Sequence, residues 1–474
     1  MAASGGNHLR TVAAASFATA FRHEARENLR LALPLTAAML SFVGMSTTDT
    51  ILAGRLSADA LAAIAIGASV WSLPFVFFMG LLMAVSPIVA QQVGARRDPE
   101  RTGEFVRGAL GCAVVAGVTW TVVLQAAADP ILDLLALEPA VRGPAEGYLR
   151  VLSFGGIPYC LCFVLRSAAE GHGLTRVPLR VGLTGLAYNA VAAWALMYGK
   201  LGLPALGAVG TGWATLTASC LMVLVYVWSF HRYPELRRLA LWRRAWPRVP
   251  RGELREMVTV GWPIAFMLTA ETWFFIIGTL LMARFGADVV AAHQVAINFA
   301  SLAFMVPLSI GLTTTVRVGH AAGARLTHEV ALRGRAGMLL GALFALASAS
   351  VMALVPGLIV GLYTDEASVA TLAVRFLMFA ALFQVADCVQ ATANGALRGV
   401  KDTRLPMIIT VGAYWGVGAP LAAWLGFATP LGASGIWIGF IGGLATAAAG
   451  LAWRFMHHAP LVTPDWRTAA TEPG

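Results

Sequence analysis

The sequence predicts an all-α polytopic membrane protein of twelve transmembrane helices, arranged as two pseudo-symmetric six-helix bundles. Three observations carry that expectation. Of its 474 residues 58% are hydrophobic and only 12% charged, where a soluble domain is roughly a quarter charged. Apolar runs of about 20 residues, the length that crosses a bilayer, recur from end to end. The second half of the chain also repeats the first. A transmembrane β-barrel does not fit, because its strands alternate over about 10 residues whereas these runs are continuous.

Residues 1–30 read as a cytoplasmic N-terminal segment, with Arg10, Arg22, Arg26 and Arg30 beside Glu24 and Glu27. They contain no uninterrupted apolar core and so do not read as a cleavable signal peptide. The N-lobe, residues 31–230, holds spans at 31–55, 61–87, 108–128, 147–168, 178–198 and 205–230. Next comes an Arg-rich cytoplasmic linker, 231–256, with eight arginines and three prolines, expected to lie on the headgroups. The C-lobe, 257–455, holds spans at 257–283, 289–316, 336–361, 372–396, 405–426 and 432–455, followed by a cytoplasmic tail, 456–474. Gly435, Gly439 and Gly443 in the last span are four apart and read as helix packing inside the bundle. A monomer is expected.

The formal net charge of +10 does not point to nucleic acid, because its distribution follows the loops. Numbered from the N-terminus, the even loops and the termini hold 28 of the 34 Lys and Arg. The odd loops hold only Arg55, Arg142, Arg150, Lys200, Arg284 and Arg375. This positive-inside pattern places both termini in the cytoplasm and supports an even number of spans. The five cysteines fall within spans without metal spacing and read as small core residues.

The repeat is gapless at two offsets. Pro34 to Arg96 aligns with Pro263 to Arg325 at an offset of 229, through Asp59/Asp288 and Gly94-Ala95-Arg96/Gly323-Ala324-Arg325. EGHGLTRVPL (170–179) aligns with RGVKDTRLPM (398–407) at 228. Six spans return the chain to its starting side, so the halves have the same orientation. Parallel repeats of this kind build transporters.

Soluble-enzyme motifs are absent. There is no Walker loop, no nucleotide-binding glycine fingerprint and no zinc-type HExxH, since HEARE at His23 and HEVAL at His328 lack the second His. No enzyme activity and no cofactor are expected, and transport energy must come from an ion gradient unless a partner protein supplies it. The chemistry-bearing residues are three acids inside apolar runs: Asp49, Glu271 and Asp387. An acid at the centre of a membrane helix costs about 3 kcal/mol on insertion scales, and such groups face a cavity and bind something. Asp49 lies 15 residues after Pro34, about 22 Å along the first helix. It reads either as an ion site with Thr47, Thr48 and Thr50 beside it or as a solvent-exposed helix end. Glu271 has Thr269 and Thr272 beside it, and Asp387 shares a face with Gln384 and Gln390. Both could instead be hydrogen-bonded structural groups, and neither has an obvious intramembrane Lys or Arg. Pro34 is either an ordinary first-turn proline or a helix-bending one. His293, Gln294 and Asn298 read as a polar core cluster or as ligand contacts.

The segments TTDTILAG, AAHQVAIN, ADCVQATANGALRGVKDT and GKLGLPALGAVGTGWAT resemble the multidrug and toxic compound extrusion (MATE) family, in its norfloxacin-exporter (NorM) branch. The resemblance covers about residues 30 to 455. It implies a V-shaped MATE fold in a bacterial inner membrane and antiport of cationic, mostly aromatic compounds against H⁺ or Na⁺. Asp49 matches the helix 1 aspartate of the N-lobe cation or proton site, with Asn189 and Thr211 as its partners. Glu271 and Asp387 match the C-lobe acidic pair, and Pro34 the helix 1 proline linked to bending. No tightly bound metal is implied; Na⁺ at Asp49 or at Glu271/Asp387 is the one candidate. Two positions depart: Ala193 and Phe383 each stand where the family often has an oxygen-bearing side chain, which favours H⁺ over Na⁺. The alternative is a lipid-linked sugar flippase of the same superfamily, for which Arg166 would supply cationic character.

Overall fold

The structure, a computed structural model, describes residues 3–242 and 251–458. Among these residues every regular element is a helix. The first half holds α1 (Ala3–Leu56), α2 (Ala58–Leu82), α3 (Val85–Gly94), α4 (Pro99–Leu134), α5 (Pro139–Ser153), α6 (Gly156–Gly171), α7 (Arg176–Tyr198), α8 (Ala208–Arg232) and the short α9 (Pro234–Arg237). The second holds α10 (Arg251–Met282), α11 (Ala287–Gly323), α12 (Thr327–Leu354), the short α13 (Pro356–Val360), α14 (Ala367–Gly399), α15 (Arg404–Val411), α16 (Ala419–Phe427) and α17 (Ala433–His458). A π-helical segment, Gly412–Gly418, joins α15 to α16. Eleven helices are long and apolar enough to cross a membrane, and α5 with α6, bent by 44°, makes a twelfth.

Helix ends follow local chemistry. Ser57 accepts the backbone N–H of Ala60 at 3.0 Å to start α2, and Asp98 accepts that of Glu100 at 3.2 Å before Pro99 opens α4. Gly199 ends α7 at φ +68, where a Cβ would also meet Ala205. The expected ninth span, 336–361, is shifted: α12 begins at Thr327 and stops at Leu354, because Pro356 cannot continue it. The fourth, 147–168, crosses the break at Phe154–Gly155 and is two helices.

The repeat is visible in the helix bounds. Ala58 and Gly94 lie 229 residues before Ala287 and Gly323; Pro139 and Gly171 lie 228 before Ala367 and Gly399. The first half breaks where the second does not: α2/α3 against the continuous α11, and α5/α6 against the continuous α14. Gly155 and Gly156 at the second break correspond to Phe383 and Gln384, which keep α14 whole.

The chain forms two compact units. One runs from Pro34 to Thr269; the other joins the residues up to Leu33 with those from Ala270 onward. The boundaries thus fall inside α1 and inside α10. In the first unit Trp71 packs against Trp120 and Tyr159 at 4.9 and 5.2 Å, with Phe75 and Phe163 at 5.6 Å. Trp71 also donates to the Leu152 carbonyl at 3.2 Å. In the second unit Phe274, Phe275, Phe383, Trp437 and Phe440 form the equivalent aromatic core, with Phe383 3% exposed between Phe275 and Trp437. Such contacts matter because lipid is as apolar as the core, so helix association rests on packing and buried hydrogen bonds. Gly435, Gly439 and Gly443 press α17 onto Leu425, Ala422 and Gly418, as the spacing predicts. Cys160, Cys162 and Cys388 are buried, but Cys220 is exposed on α8 and is not a core residue.

Each unit clasps the start of a first helix. Glu24 of α1 is bound by Arg317 of α11 and lies 3.7 Å from Arg333 of α12. One turn on, Asn28 donates to Thr314 at 2.9 Å and accepts from Thr313. In the other unit Glu253 of α10 pairs with Arg97 at 2.5 Å. Glu24 and Glu253 are repeat equivalents, 229 residues apart. The linker begins by packing rather than by lying free: Leu239 sits against Gly103, Ala240 accepts from Arg107 at 2.8 Å, and Tyr233 faces Arg180. Linker residues 243–250 and tail residues 459–474 lie outside the described residues.

Candidate functional site

The three acids fall into two places, one per unit. Asp49 on α1 is 6% exposed, so it is not a solvated helix end. Its Oδ2 accepts from Thr215 Oγ1 on α8 at 3.1 Å, and Thr215 accepts from Asn189 Nδ2 on α7 at 3.2 Å. The Oδ1 atoms of Asp49 and Asn189 are both buried and reached by no donor. Tyr148 and Tyr159 lie within range of the Asp49 charge, and no Lys or Arg among the described residues pairs with it.

Three sequence expectations change here. Thr211 is fully buried but does not reach Asp49, because its hydroxyl donates to Ala208 O at 2.6 Å on its own helix; Thr215, one turn on, makes the bond. Thr47, Thr48 and Thr50 likewise donate to carbonyls four residues back, at 2.8–2.9 Å, and supply no donor to the carboxylate. Ala193 is buried and brings no oxygen. Pro34 lies 31 residues inside α1, which removes the first-turn reading; it deletes one backbone hydrogen bond at the unit boundary.

In the other unit Glu271 of α10 and Asp387 of α14 act on each other electrostatically. Asp387 is 6% exposed, with Gln384 and Gln390 buried beside it. Tyr414, in the π-helical segment, is buried, stacks on Phe274 at 5.0 Å and donates to Gln390 Oε1 at 2.7 Å. A π turn shifts the helix face locally, and here the polar face carries the phenol to Glu271. Arg398, near the end of α14, is also buried and lies within electrostatic range of Glu271. The sequence hid it because GALRG lies at the end of an apolar run and reads as a loop charge. Thr215 was hidden by an equally good threonine one turn earlier. Tyr414 was hidden because a π turn leaves no periodicity signal.

The polar patch on α11 does not form one cluster. His293 is 1% exposed, shares a hydrogen bond with Thr279 at 3.1 Å and packs edge-on to Trp437. Gln294 and Asn298 point to the exposed side, where Asn298 accepts from Tyr363 at 3.0 Å. Arg166 of α6 is buried in the first unit, paired with Glu170 at 2.6 Å and lying over the Phe42 ring.

A membrane protein of two related helical halves, each with buried carboxylates on its spanning helices, belongs to the class of multi-pass transporters. The MatE family model matches twice, over residues 34–195 and 263–424, once in each half. The chain belongs to this family, and it is a transporter rather than an enzyme. It is 38% identical over 442 residues to the multidrug resistance protein PmpM of Pseudomonas aeruginosa, covering 92% of each chain. It is 37% identical over 438 residues to the multidrug resistance protein NorM of Vibrio vulnificus, covering 92% of this chain and 95% of that one. Among solved structures, a MATE transporter in the bent conformation superposes with a TM-score of 0.84 at 20% identity, covering 96% and 99% of the two chains. The eukaryotic MATE transporter AtDTX14 gives 0.81 at 19%, covering 95% and 98%.

Proposed function

We propose that this chain is an ion-coupled antiporter that exports cationic, aromatic drugs across a bacterial cytoplasmic membrane, both termini being cytoplasmic. Asp49 in one half and the Glu271/Asp387 pair in the other carry the coupling. The observation that carries this reading is the buried Asp49 carboxylate, which accepts from Thr215 through Oδ2 while its Oδ1 and that of Asn189 are reached by no donor, and which no Lys or Arg among the described residues neutralises. An ionised carboxylate so placed is costly in a low-dielectric interior, and one proton or one small cation relieves that cost. A site stable only when loaded ties ion binding to conformation. The multidrug resistance names of the relatives support drugs as substrates. The lack of an oxygen at Ala193 and Phe383, and the self-bonded hydroxyls of Thr47, Thr48, Thr50 and Thr211, favour H⁺ over Na⁺. The flippase alternative is disfavoured because Glu170 already neutralises Arg166.

The test is reconstitution in liposomes with pH and Na⁺ gradients imposed separately and export of ethidium followed. Uphill export driven by the pH gradient is expected. Export driven only by Na⁺ would reverse the choice of ion, and none under either gradient would remove the antiport reading.

A further inference from the structure

We propose that Arg166 is a positioning residue for ion coupling: its guanidinium seats the stretch of α1 between Pro34 and Asp49. This rests on the reading that Asp49 couples transport.

Arg166 and Glu170 are 8% and 4% exposed, one turn apart on α6, and Arg166 Nε donates to Glu170 Oε1 at 2.6 Å. A buried ion pair holds a fold no better than apolar side chains of the same volume, so stability alone does not account for it. Ionisable groups inside membrane helices mark working parts instead. Among the described residues, the hydrogen bond and the ring contact that Arg166 makes outside α6 both go to α1. Its Nη2 donates to Met39 Sδ at 3.3 Å, and its Cζ lies over the Phe42 ring, 5.8 Å from the centroid. No ion pair among the described residues joins it to Asp49, so its effect there runs through the helix.

Met39 and Phe42 stand five and eight residues beyond Pro34, which leaves one backbone hydrogen bond of α1 unmade. Asp49 follows Phe42 by seven residues, two turns, so both lie on one face of α1 about 10 Å apart. What holds the ring therefore sets the height and rotation of the carboxylate. That placement is exacting: the bond from Thr215 to Asp49 is 3.1 Å long, and a shift of about half an ångström breaks it. Close packing on α7 fixes α1 elsewhere, where Ser41 meets Gly182 and Gly44 meets Leu186. Glu170 offsets the charge, so the seat faces a ring without stranding a net buried charge. A cation over a ring and a thioether on a guanidinium have loose geometry, and they hold α1 without locking it. The repeat uses the same place on the second half's first spanning helix: Phe42 corresponds to Glu271.

The experiment compares full-length Phe42→Leu, Phe42→Tyr, Arg166→Gln/Glu170→Gln, that double with Phe42→Leu added, and Asp49→Asn. Readouts are the thermal midpoint and ethidium export, over a range of ethidium concentrations, driven by the gradient that serves the wild type. Phe42→Leu should lower the maximal rate about fivefold and move the half-saturating concentration less than about twofold, because a seat for Asp49 acts on turnover. Phe42→Tyr keeps the ring and should stay within about twofold of wild type. Arg166→Gln/Glu170→Gln removes both charges together and should stay folded. It should lose the same factor in rate, with no further loss when Phe42→Leu is added. A wild-type rate in Phe42→Leu, equal losses in Phe42→Leu and Phe42→Tyr, or a change confined to the half-saturating concentration overturns the seat. Multiplying losses in the triple variant do the same. Should the double fold poorly, the Leu and Tyr variants decide. Normal export by Asp49→Asn overturns the coupling reading instead, and the Phe42 variants then still decide whether Arg166 acts through the ring.

Discussion

The unit beginning at Pro34 keeps Asp49 among neutral partners, whereas the unit containing Ala270 onward sets two acids against each other, with a guanidinium and a phenol in electrostatic range of Glu271. The contrast sits on one repeated backbone. At an offset of 229 Asp49 corresponds to Gly278, and Glu271 to Phe42, the ring that faces Arg166. At 228 Asp387 corresponds to Tyr159, and Arg398 to Glu170. No acid of either site has an acid at its equivalent. The repeat therefore conserves helix ends and packing while the chemistry is placed independently in each half. Gly278 shows why a site cannot simply be copied: a Cβ there would run into the ring of Phe440.

The largest expected effect tests the neutral-partner side of this contrast. Asp49→Asn keeps size and the bond from Thr215 but cannot take up a proton or cation. Uphill export of ethidium should fall to background while yield and thermal midpoint stay near wild type, since no cation is stranded. A marked loss of folded protein instead would mean that Asp49 has a structural counter-charge.

The clasps come next. Glu24→Gln leaves Arg317 without its carboxylate, while Arg333 keeps Glu329, and should cost about 3 kcal/mol, read as a lowered thermal midpoint. Glu253→Gln should cost less, because Arg97 and Glu253 are 29% and 19% exposed, against 15% and 10% for Arg317 and Glu24. Equal shifts would show that burial does not set the difference between these equivalents.

Gly278→Ala should destabilise by about 1–3 kcal/mol through overpacking against Phe440, seen in the same melting assay. An unchanged midpoint would mean the ring can move aside and the site position is less restricted than the packing indicates. The smallest effect separates two neighbouring threonines. Thr215→Val removes the donor to Asp49, worth about 1 kcal/mol, and should lower export about fivefold. Thr211→Val loses only a bond to its own helix and should leave export within about twofold. Reversal of that order would return the partner role to Thr211.

The fold was legible because lipid imposes length: twelve spans, their order and the repeat follow from apolar runs and from gapless offsets. What escaped were local breaks. The bend at Phe154–Gly155 lies inside one apolar run, and in sequence only the Gly155-Gly156 pair, against Phe383-Gln384, distinguishes it from the matching stretch of α14. The acids of the candidate site were equally legible, since a carboxylate in a lipid-length run is conspicuous. Their partners were not. Thr215 and Thr211 are one turn apart, and the one that reaches Asp49 is chosen by how α1, α7 and α8 meet.

The sequence by itself determined that the chain is a helical membrane protein of two parallel repeats, and which three carboxylates lie in its apolar interior, because both depend on composition along a line. Tertiary structure decided what surrounds each carboxylate. Thr215 reaches Asp49 from another helix, Tyr414 arrives through a π turn, and Glu24 and Glu253 each find arginines far away in sequence. A buried charge is stabilised by whatever stands within a few ångströms of it, and that distance is measured through space rather than along the chain.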